Sequence, residues 1–192
     1  MEFNYNVCLL GTNINDKDII IKKISKVRRR KNLENEKLVC KFDYQNNTIN
    51  LINLPTITSL RGYSNNKIAI KKHLMNKNCD LVLIVGNPFN LEQSINLVLQ
   101  TLKFHRKIIM MIYLNKKATK LIINRLGLVY DLGIPIIFIY KNQDTGIKHL
   151  EETIISMLNN RYPLPIKPVD NKLKLSNTSS LAKKIYLQNI YF

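Results

Sequence analysis

Three runs of apolar residues constrain the fold of this chain more than any other feature. They are Asp80–Gly86 (DLVLIVG), Lys107–Leu114 and Ile134–Tyr140. Each run is apolar at consecutive positions, as expected for a strand that is buried on both faces of a parallel sheet. Stretches with apolar residues at helical spacing lie between the runs. The pattern therefore predicts parallel strands joined by helical crossovers.

The elements before and after these runs extend the same pattern. Further strands are predicted at Tyr5–Gly11, Leu38–Tyr44 and Thr48–Leu54, with a hairpin at Gln45–Asn47. The predicted helices are Asp16–Val27 (with Asp16 as its N-cap), Asn65–Asn76, Asn90–Phe104, Lys116–Leu132 and Thr145–Leu158. We expect an α/β fold with helices on both faces of a six-stranded, mostly parallel sheet. Only Leu38–Tyr44 should run antiparallel.

Length and composition favour one domain. The chain has 192 residues, of which 45% are hydrophobic, enough for one ordinary core. We predict a domain over residues 1–160 and a proline-containing tail over residues 161–192, with a short helix at 181–188. The sequence contains no apolar run of the roughly 20 residues that a membrane span needs, and its first residues do not resemble a signal peptide. We expect a cytoplasmic protein, and a peripheral position at the inner membrane is left open.

The net charge of +17 has two interpretations. A basic surface can bind nucleic acid or anionic lipid. The chain is also crowded with Lys, Asn and Ile, the residues of A/T-rich codons, so compositional drift explains the charge without any partner. We favour drift, and nucleic acid is not an expected partner. His73, His105 and His149 stand alone, and no metal site is predicted.

The first loop stands where a phosphate-binding loop of the pattern GxxxxGK[ST] would stand, between a strand and a helix. Gly11 and Lys17 keep the required spacing, with Thr12 and Asn13 between them. Asp16 replaces the second glycine and Asp18 replaces the hydroxyl residue. Two carboxylates at these positions would repel a triphosphate, although Asp18 could still contact a metal ion.

The stretch Ile49–Ser64 (INLINLPTITSLRGYS) begins as an alternating strand and continues into a polar loop, the place where α/β proteins bind ligands. NLPTITSLRGYS resembles the pattern DLPGxYSLxxYS. CDLVLIVGNPFNLEQSINLVLQTLKF and LGIPIIFIYKNQDTGIKHLEETI resemble two further patterns of the same family. The family is that of the G domains of FeoB-type ferrous-iron transporters, which are bacterial GTPases fused to a membrane permease. The resemblance runs from about Tyr5 to Leu158 and implies a P-loop GTPase-like three-layer sandwich.

The resemblance also implies where nucleotide motifs should lie. Their positions are Gly11, Thr12, Asn13, Asp16, Lys17 and Asp18 for the phosphates, Asn53, Pro55 and Thr56 for Mg²⁺ and the γ-phosphate, Tyr113 and Lys116 for guanine, and Tyr140 for the closing motif. Most are substituted. Asn53 replaces a carboxylate and Thr56 a glycine, while Lys116 replaces the aspartate that would accept two hydrogen bonds from guanine.

These substitutions predict a pseudo-GTPase with weak or no GTP binding, and the resemblance implies a relation to ferrous-iron transport. GTP and Mg²⁺ are the family's cofactors, and we expect neither to be retained and no catalytic residue; whether the chain is an enzyme at all stays open. The alternatives are a residual GTP-binding module of a split iron transporter, a decaying remnant of one, or a basic module that binds protein or nucleic acid. A membrane permease component or another protein is the expected partner. We also expect the loop Pro55–Ser64 to hold one conformation through packing of Leu60 and Tyr63.

Overall fold

The computed structural model describes residues 3–27, 38–44, 46–76, 79–114, 121–141, 143–162 and 177–191. Its strands are β1 (Phe3–Gly11), β2 (Leu38–Tyr44), β3 (Asn47–Asn53), β4 (Leu81–Gly86), β5 (Ile108–Leu114), β6 (Ile122–Ile123), β7 (Ile136–Tyr140) and β8 (Ile190–Tyr191). Its helices are α1 (Ile14–Val27), α2 (Asn65–Met75), α3 (Leu91–Thr101), α4 (Arg125–Leu132), α5 (Thr145–Leu158) and α6 (Thr178–Asn189), with a 3₁₀ turn at Pro88–Asn90.

The main sheet has six strands in the order β2-β3-β1-β4-β5-β7. β2 pairs antiparallel with β3, and the other four neighbouring pairs are parallel. The predicted sheet is therefore confirmed, including its single antiparallel strand. The three apolar runs form β4, β5 and β7 in its centre and at one edge, and every residue of β4 is buried.

Alternate side chains of the strands supply two hydrophobic cores, one on each face of the sheet. In β1, Val7 and Leu9 face the core that contains the buried residues of α1 and α5. Cys8 and Leu10 face the opposite core, which contains buried residues of α2, α3, α4 and α6. Helices thus cover both faces, and the three-layer arrangement is confirmed. Within the described part of the chain, no helix combines the length and the apolar character needed to cross a membrane.

The predicted helix Lys116–Leu132 is wrong at residues 121–124 and is confirmed from Arg125 onward. Residues 115–120 lie outside the described residues, Leu121 lies in neither a helix nor a strand, and Ile122–Ile123 form β6, which pairs antiparallel with β8. The helix begins only at Arg125, where the side chain of Asn124 accepts a hydrogen bond from the N–H of Gly127 at 3.0 Å. An asparagine at this position satisfies one of the unpaired N–H groups of the first turn and so fixes the start of α4.

Other helix boundaries differ by a few residues. α1 begins at Ile14, so Asp16 lies in its first turn and is not the N-cap that we predicted. α3 ends at Thr101, three residues before the predicted end, and begins after the 3₁₀ turn. In the β2–β3 turn, Asn46 has a φ of 61°, a conformation that asparagine tolerates better than most residues.

Helix α6 packs against α3 and α4. Its residues Ala182 and Ile185 are buried in the same core as α3, and Asn189 donates to Asp131 of α4 at 2.8 Å. The domain boundary after residue 160 stays a prediction.

Candidate functional site

The candidate site lies at the edge of the sheet where the parallel strands end. Only Thr12 and Asn13 separate β1 from α1, because the helix begins at Ile14. Asn13 caps this helix: its Oδ1 accepts from the N–H of Asn15 at 2.8 Å, and its carbonyl accepts from the N–H of Lys17 at 3.4 Å. The residues that would form an open phosphate loop are thus the first turn of a helix.

The side chain of Lys17 folds back across Gly11. A Cβ placed on Gly11 would lie 3.0 Å from Lys17 Cγ, which shows how closely the lysine crosses the backbone there. Lys17 is 1% exposed, and its Nζ donates to the carbonyl of Leu54. Burial lowers the pKa of Lys17 from 10.5 to about 8, and the nearby Asp18 carboxylate opposes this shift. The ammonium group is therefore held inside the protein by a backbone carbonyl.

Asp16 reaches across to the end of β4. Its Oδ2 accepts a hydrogen bond from Asn87 Nδ2 at 2.7 Å, while Asn87 Oδ1 accepts from the N–H of Phe89 at 2.8 Å. Tyr113, near the end of β5, is buried; burial raises its pKa, and the charge of Asp16 adds to the effect. Asp18, by contrast, is exposed on α1.

The segment after β3 runs along the end of β1. The N–H of Leu54 donates to the carbonyl of Leu9 at 3.1 Å, and the N–H of Ile57 donates to the carbonyl of Gly11 at 3.2 Å. Asn53 Oδ1 is buried and has no hydrogen-bond partner among the described residues. A cavity of ≈ 460 Å³ opens beside it and is lined by Ile14, Lys17, Asn53, Leu54, Pro55, Thr56, Asn66, Ala69, Ile70 and His73.

Gln100 holds the continuation of this loop; the stretch that contains it matches the family pattern, but the sequence did not indicate these contacts. Its side chain is fully buried in α3, and its Oε1 accepts from the N–H of Leu60 at 2.6 Å and from Ser59 Oγ at 3.0 Å. Its Nε2 donates to Thr178 Oγ1 of α6 at 3.2 Å. Leu60 is fully buried, whereas Tyr63 is 89% exposed, so the predicted packing through Tyr63 is wrong.

The positions predicted for guanine recognition are only partly described. Tyr113 lies close enough to Asp16, in the first turn of α1, for the charge of Asp16 to act on its hydroxyl. Lys116 lies outside the described residues. Tyr140 ends β7 at the neighbouring strand and is partly exposed, and the N–H of Lys141 donates to the carbonyl of Leu114 at 3.2 Å. The fold therefore brings Gly11, Lys17 and the segment from Asn53 to Thr56 together, with Asp16 and Tyr113 beside them.

Comparisons with known proteins agree with this architecture. The family model described as Ferrous iron transport protein B matches residues 6–154. The structure of the G domain of the T. maritima FeoB iron transporter is similar with a TM-score of 0.68 and 28% identity, covering 80% of this chain and 98% of that chain. No match was found among curated proteins.

Two more distant structures show the same fold. The cytosolic domain of T. maritima FeoB in GDP form I is similar with a TM-score of 0.78 and 19% identity, covering 100% of both chains. The FeoB G domain from Methanococcus jannaschii has a TM-score of 0.67 and 22% identity, covering 82% of this chain and 99% of that chain. Because the family model spans most of the 192 residues, this chain belongs to the family of the ferrous iron transport protein B, and its described residues form the P-loop GTPase fold of the FeoB G domains.

Proposed function

We propose that this chain is a FeoB-type G domain that no longer binds GTP productively, a pseudo-GTPase. The observation that carries the proposal is the environment of Lys17, whose buried Nζ donates to the carbonyl of Leu54. In a phosphate-binding loop the lysine at this position reaches the outer phosphates. Here a phosphate would have to displace a contact that already satisfies part of the ammonium group.

The backbone of the first loop supports the same proposal. A phosphate loop works by pointing several N–H groups at the ligand. In this chain the N–H groups of Asn15 and Lys17 are directed to Asn13. Two donors that could surround a phosphate are therefore used in starting α1.

The charges around the loop oppose a triphosphate. Asp16 lies in the first turn of α1, where its carboxylate already benefits from the positive end of the helix dipole. A phosphate would meet that negative charge at the position where a glycine would leave room. Asn53 offers a neutral amide where the family pattern has a carboxylate, so it is a weaker partner for the water shell of Mg²⁺.

Lys116 stands where the family pattern has an aspartate, and this substitution weakens guanine recognition. A charge-assisted hydrogen bond contributes about 1.5–3 kcal/mol, so losing the two bonds from an aspartate costs about 3–6 kcal/mol. That cost corresponds to roughly two to four decades in affinity. The lysine can only donate hydrogen bonds, and guanine presents donors at this edge.

A titration with fluorescent GTP and GDP, with and without Mg²⁺, tests the proposal on the full chain. We expect no saturable signal up to about 1 mM nucleotide, which means that the binding free energy is weaker than about −4 kcal/mol. Lys17→Ala is the matched variant, and its signal should equal that of the wild type. Saturable, GTP-specific binding that Lys17→Ala abolishes would refute the proposal.

The same titration distinguishes the pseudo-GTPase from a second candidate function, a residual GTP-binding module of a split iron transporter, which should bind GTP saturably. Its support is the spacing of Gly11 and Lys17, which the fold still brings to the strand end and the helix start. In either case we propose a cytoplasmic position and a membrane permease component as partner, since the family model is that of a transport protein. Affinity capture with the candidate permease, from the same genome, tests the partner separately from the nucleotide.

A further inference from the structure

Helix α2 is apolar on both of its sides. Ile70 and Leu74 point inward and are buried in the core. Ile68 is 38% exposed and Met75 is 62% exposed. At 100° per residue these two exposed side chains project about 130° away from the direction of the buried pair, toward the outer side of the helix. A surface helix of a soluble domain usually presents polar residues there, so the outward apolar pair needs an explanation.

Cations surround the exposed apolar side chains. Lys71 and Lys72 share the outer side of α2, and Lys71 Nζ lies 5.6 Å from the centre of the Tyr63 ring, which is 89% exposed. We use the name α2 outer face for Tyr63, Ile68, Lys71, Lys72 and Met75. It combines an exposed aromatic ring, two aliphatic side chains and two ammonium groups.

The charge of this region is entirely positive. Between Asp43 and Asp80 the sequence contains no Asp or Glu. Lys67 Nζ donates to the carbonyl of Arg61 at 2.6 Å, and Lys71 Nζ donates to the carbonyl of Gly62 at 3.0 Å. These contacts fix the loop against the helix but bring no negative charge. The surface therefore complements an extended anionic partner.

We propose that the α2 outer face binds the surface of an anionic phospholipid bilayer. Lysine side chains extend to lipid phosphates while their aliphatic stems and neighbouring apolar residues enter the interfacial region. Tyrosine is favoured at that depth because its ring is apolar and its hydroxyl is polar. A nucleic acid would match the cations but would leave Ile68 and Met75 against charged phosphates. The proposal goes beyond the proposed function and does not depend on nucleotide.

Vesicle binding of the full chain tests the proposal. The sequence has no tryptophan, so Tyr63→Trp places one fluorophore in the α2 outer face. We expect binding, with a blue shift of this tryptophan, to phosphatidylcholine vesicles that contain ~30% phosphatidylglycerol. Pure phosphatidylcholine vesicles should not bind. Absence of binding to the anionic vesicles would overturn the proposal.

Two variants test which side chains bind. Lys71→Gln with Lys72→Gln removes both ammonium groups of the α2 outer face and should lower vesicle partitioning about 25-fold. Ile68→Ser with Met75→Ser retains the charge and should abolish the blue shift. Circular dichroism and thermal melting establish that each variant is folded.

Lys183→Gln with Lys184→Gln is the matched control, because it removes the same charge from the exposed side of α6. We expect partitioning of this variant within about twofold of the wild type, since those cations lie outside the α2 outer face. An equal loss in both charge variants would show that net charge alone drives binding and would overturn the proposal. Unchanged binding after Ile68→Ser with Met75→Ser, together with competition by single-stranded oligonucleotide, would also overturn it.

Discussion

The buried ammonium group of Lys17 predicts an unusual dependence of stability on pH. Its pKa is about 8 in the folded protein, whereas an unperturbed lysine, as in the unfolded chain, has a pKa of 10.5. The unfolded chain therefore binds more protons between these two values, and the free energy of unfolding must rise as the pH rises through them. Below about pH 8 the full cost of burying the charge is present, and above about pH 10.5 it has disappeared.

The size of the effect follows from the same values. A pKa lowered from 10.5 to about 8 corresponds to about 3 kcal/mol. Lys17 lines the cavity beside Asn53, where water would screen the charge, so we expect about 2 kcal/mol. Replacing Lys17 by Met removes the titrating group and keeps much of the apolar stem, so the stability difference between wild type and variant should change by this amount between pH 7 and pH 10.5.

Urea unfolding of the wild type and of Lys17→Met at several pH values measures this difference. Lys148→Met serves as the control, because Lys148 is an exposed lysine on α5. Its stability difference from the wild type should stay constant within about 0.5 kcal/mol, as is usual for exposed substitutions. A constant difference for Lys17→Met as well would refute the burial of the ammonium group and the loop geometry described above.

Three further substitutions test individual contacts. Gln100→Leu should lower the free energy of unfolding by about 1–3 kcal/mol in urea titrations, because the buried N–H of Leu60 loses its acceptor; Gln93→Leu, exposed on the same helix, is its control. Gly127→Ala would place a Cβ 1.9 Å from Asn189 Oδ1, so hydrogen exchange of α6 should become faster while the main sheet stays protected. Asn13→Ala should cost about 1 kcal/mol in chemical unfolding through loss of the α1 cap.

The main sheet could be predicted from sequence because its strands are unambiguous. A run such as DLVLIVG is too short for a buried helix between its flanking polar residues, and continuous burial requires layers on both faces. The pairing of β6 with β8 could not be predicted in this way. It joins residues 122–123 to residues 190–191, and the apolar spacing before Arg125 suits a helix equally well.

The resemblance supplied positions for the candidate site, and these stay a prediction; the contacts of those residues were not foreseen. The pattern Asn13-x-x-Asp16 resembles a capping signal and could have placed the N-cap of α1 at Asn13, three residues before Asp16. Lys17 Nζ could contact a bound phosphate or the carbonyl of Leu54. Which contact forms depends on how β3 ends beside β1, and no local sequence pattern encodes that. Gln100 likewise becomes important only because the loop and α6 meet at α3.

Hydrogen bonds within the protein hold the loop from Leu54 to Leu60, so we expect nucleotide to change neither its conformation nor the melting temperature. Its N–H groups donate to Leu9, Gly11 and Gln100. A ligand can shift such a loop only through contacts that differ between two states. With a dissociation constant near 10 mM, 1 mM GTP would add about 0.06 kcal/mol, or under about 0.5 °C in melting temperature. Thermal melting with GTP and Mg²⁺, compared with ATP and Mg²⁺, measures this directly. A rise of several degrees with GTP alone would mean that guanine is still bound and that the contacts of Lys17 and Asp16 give way to a phosphate.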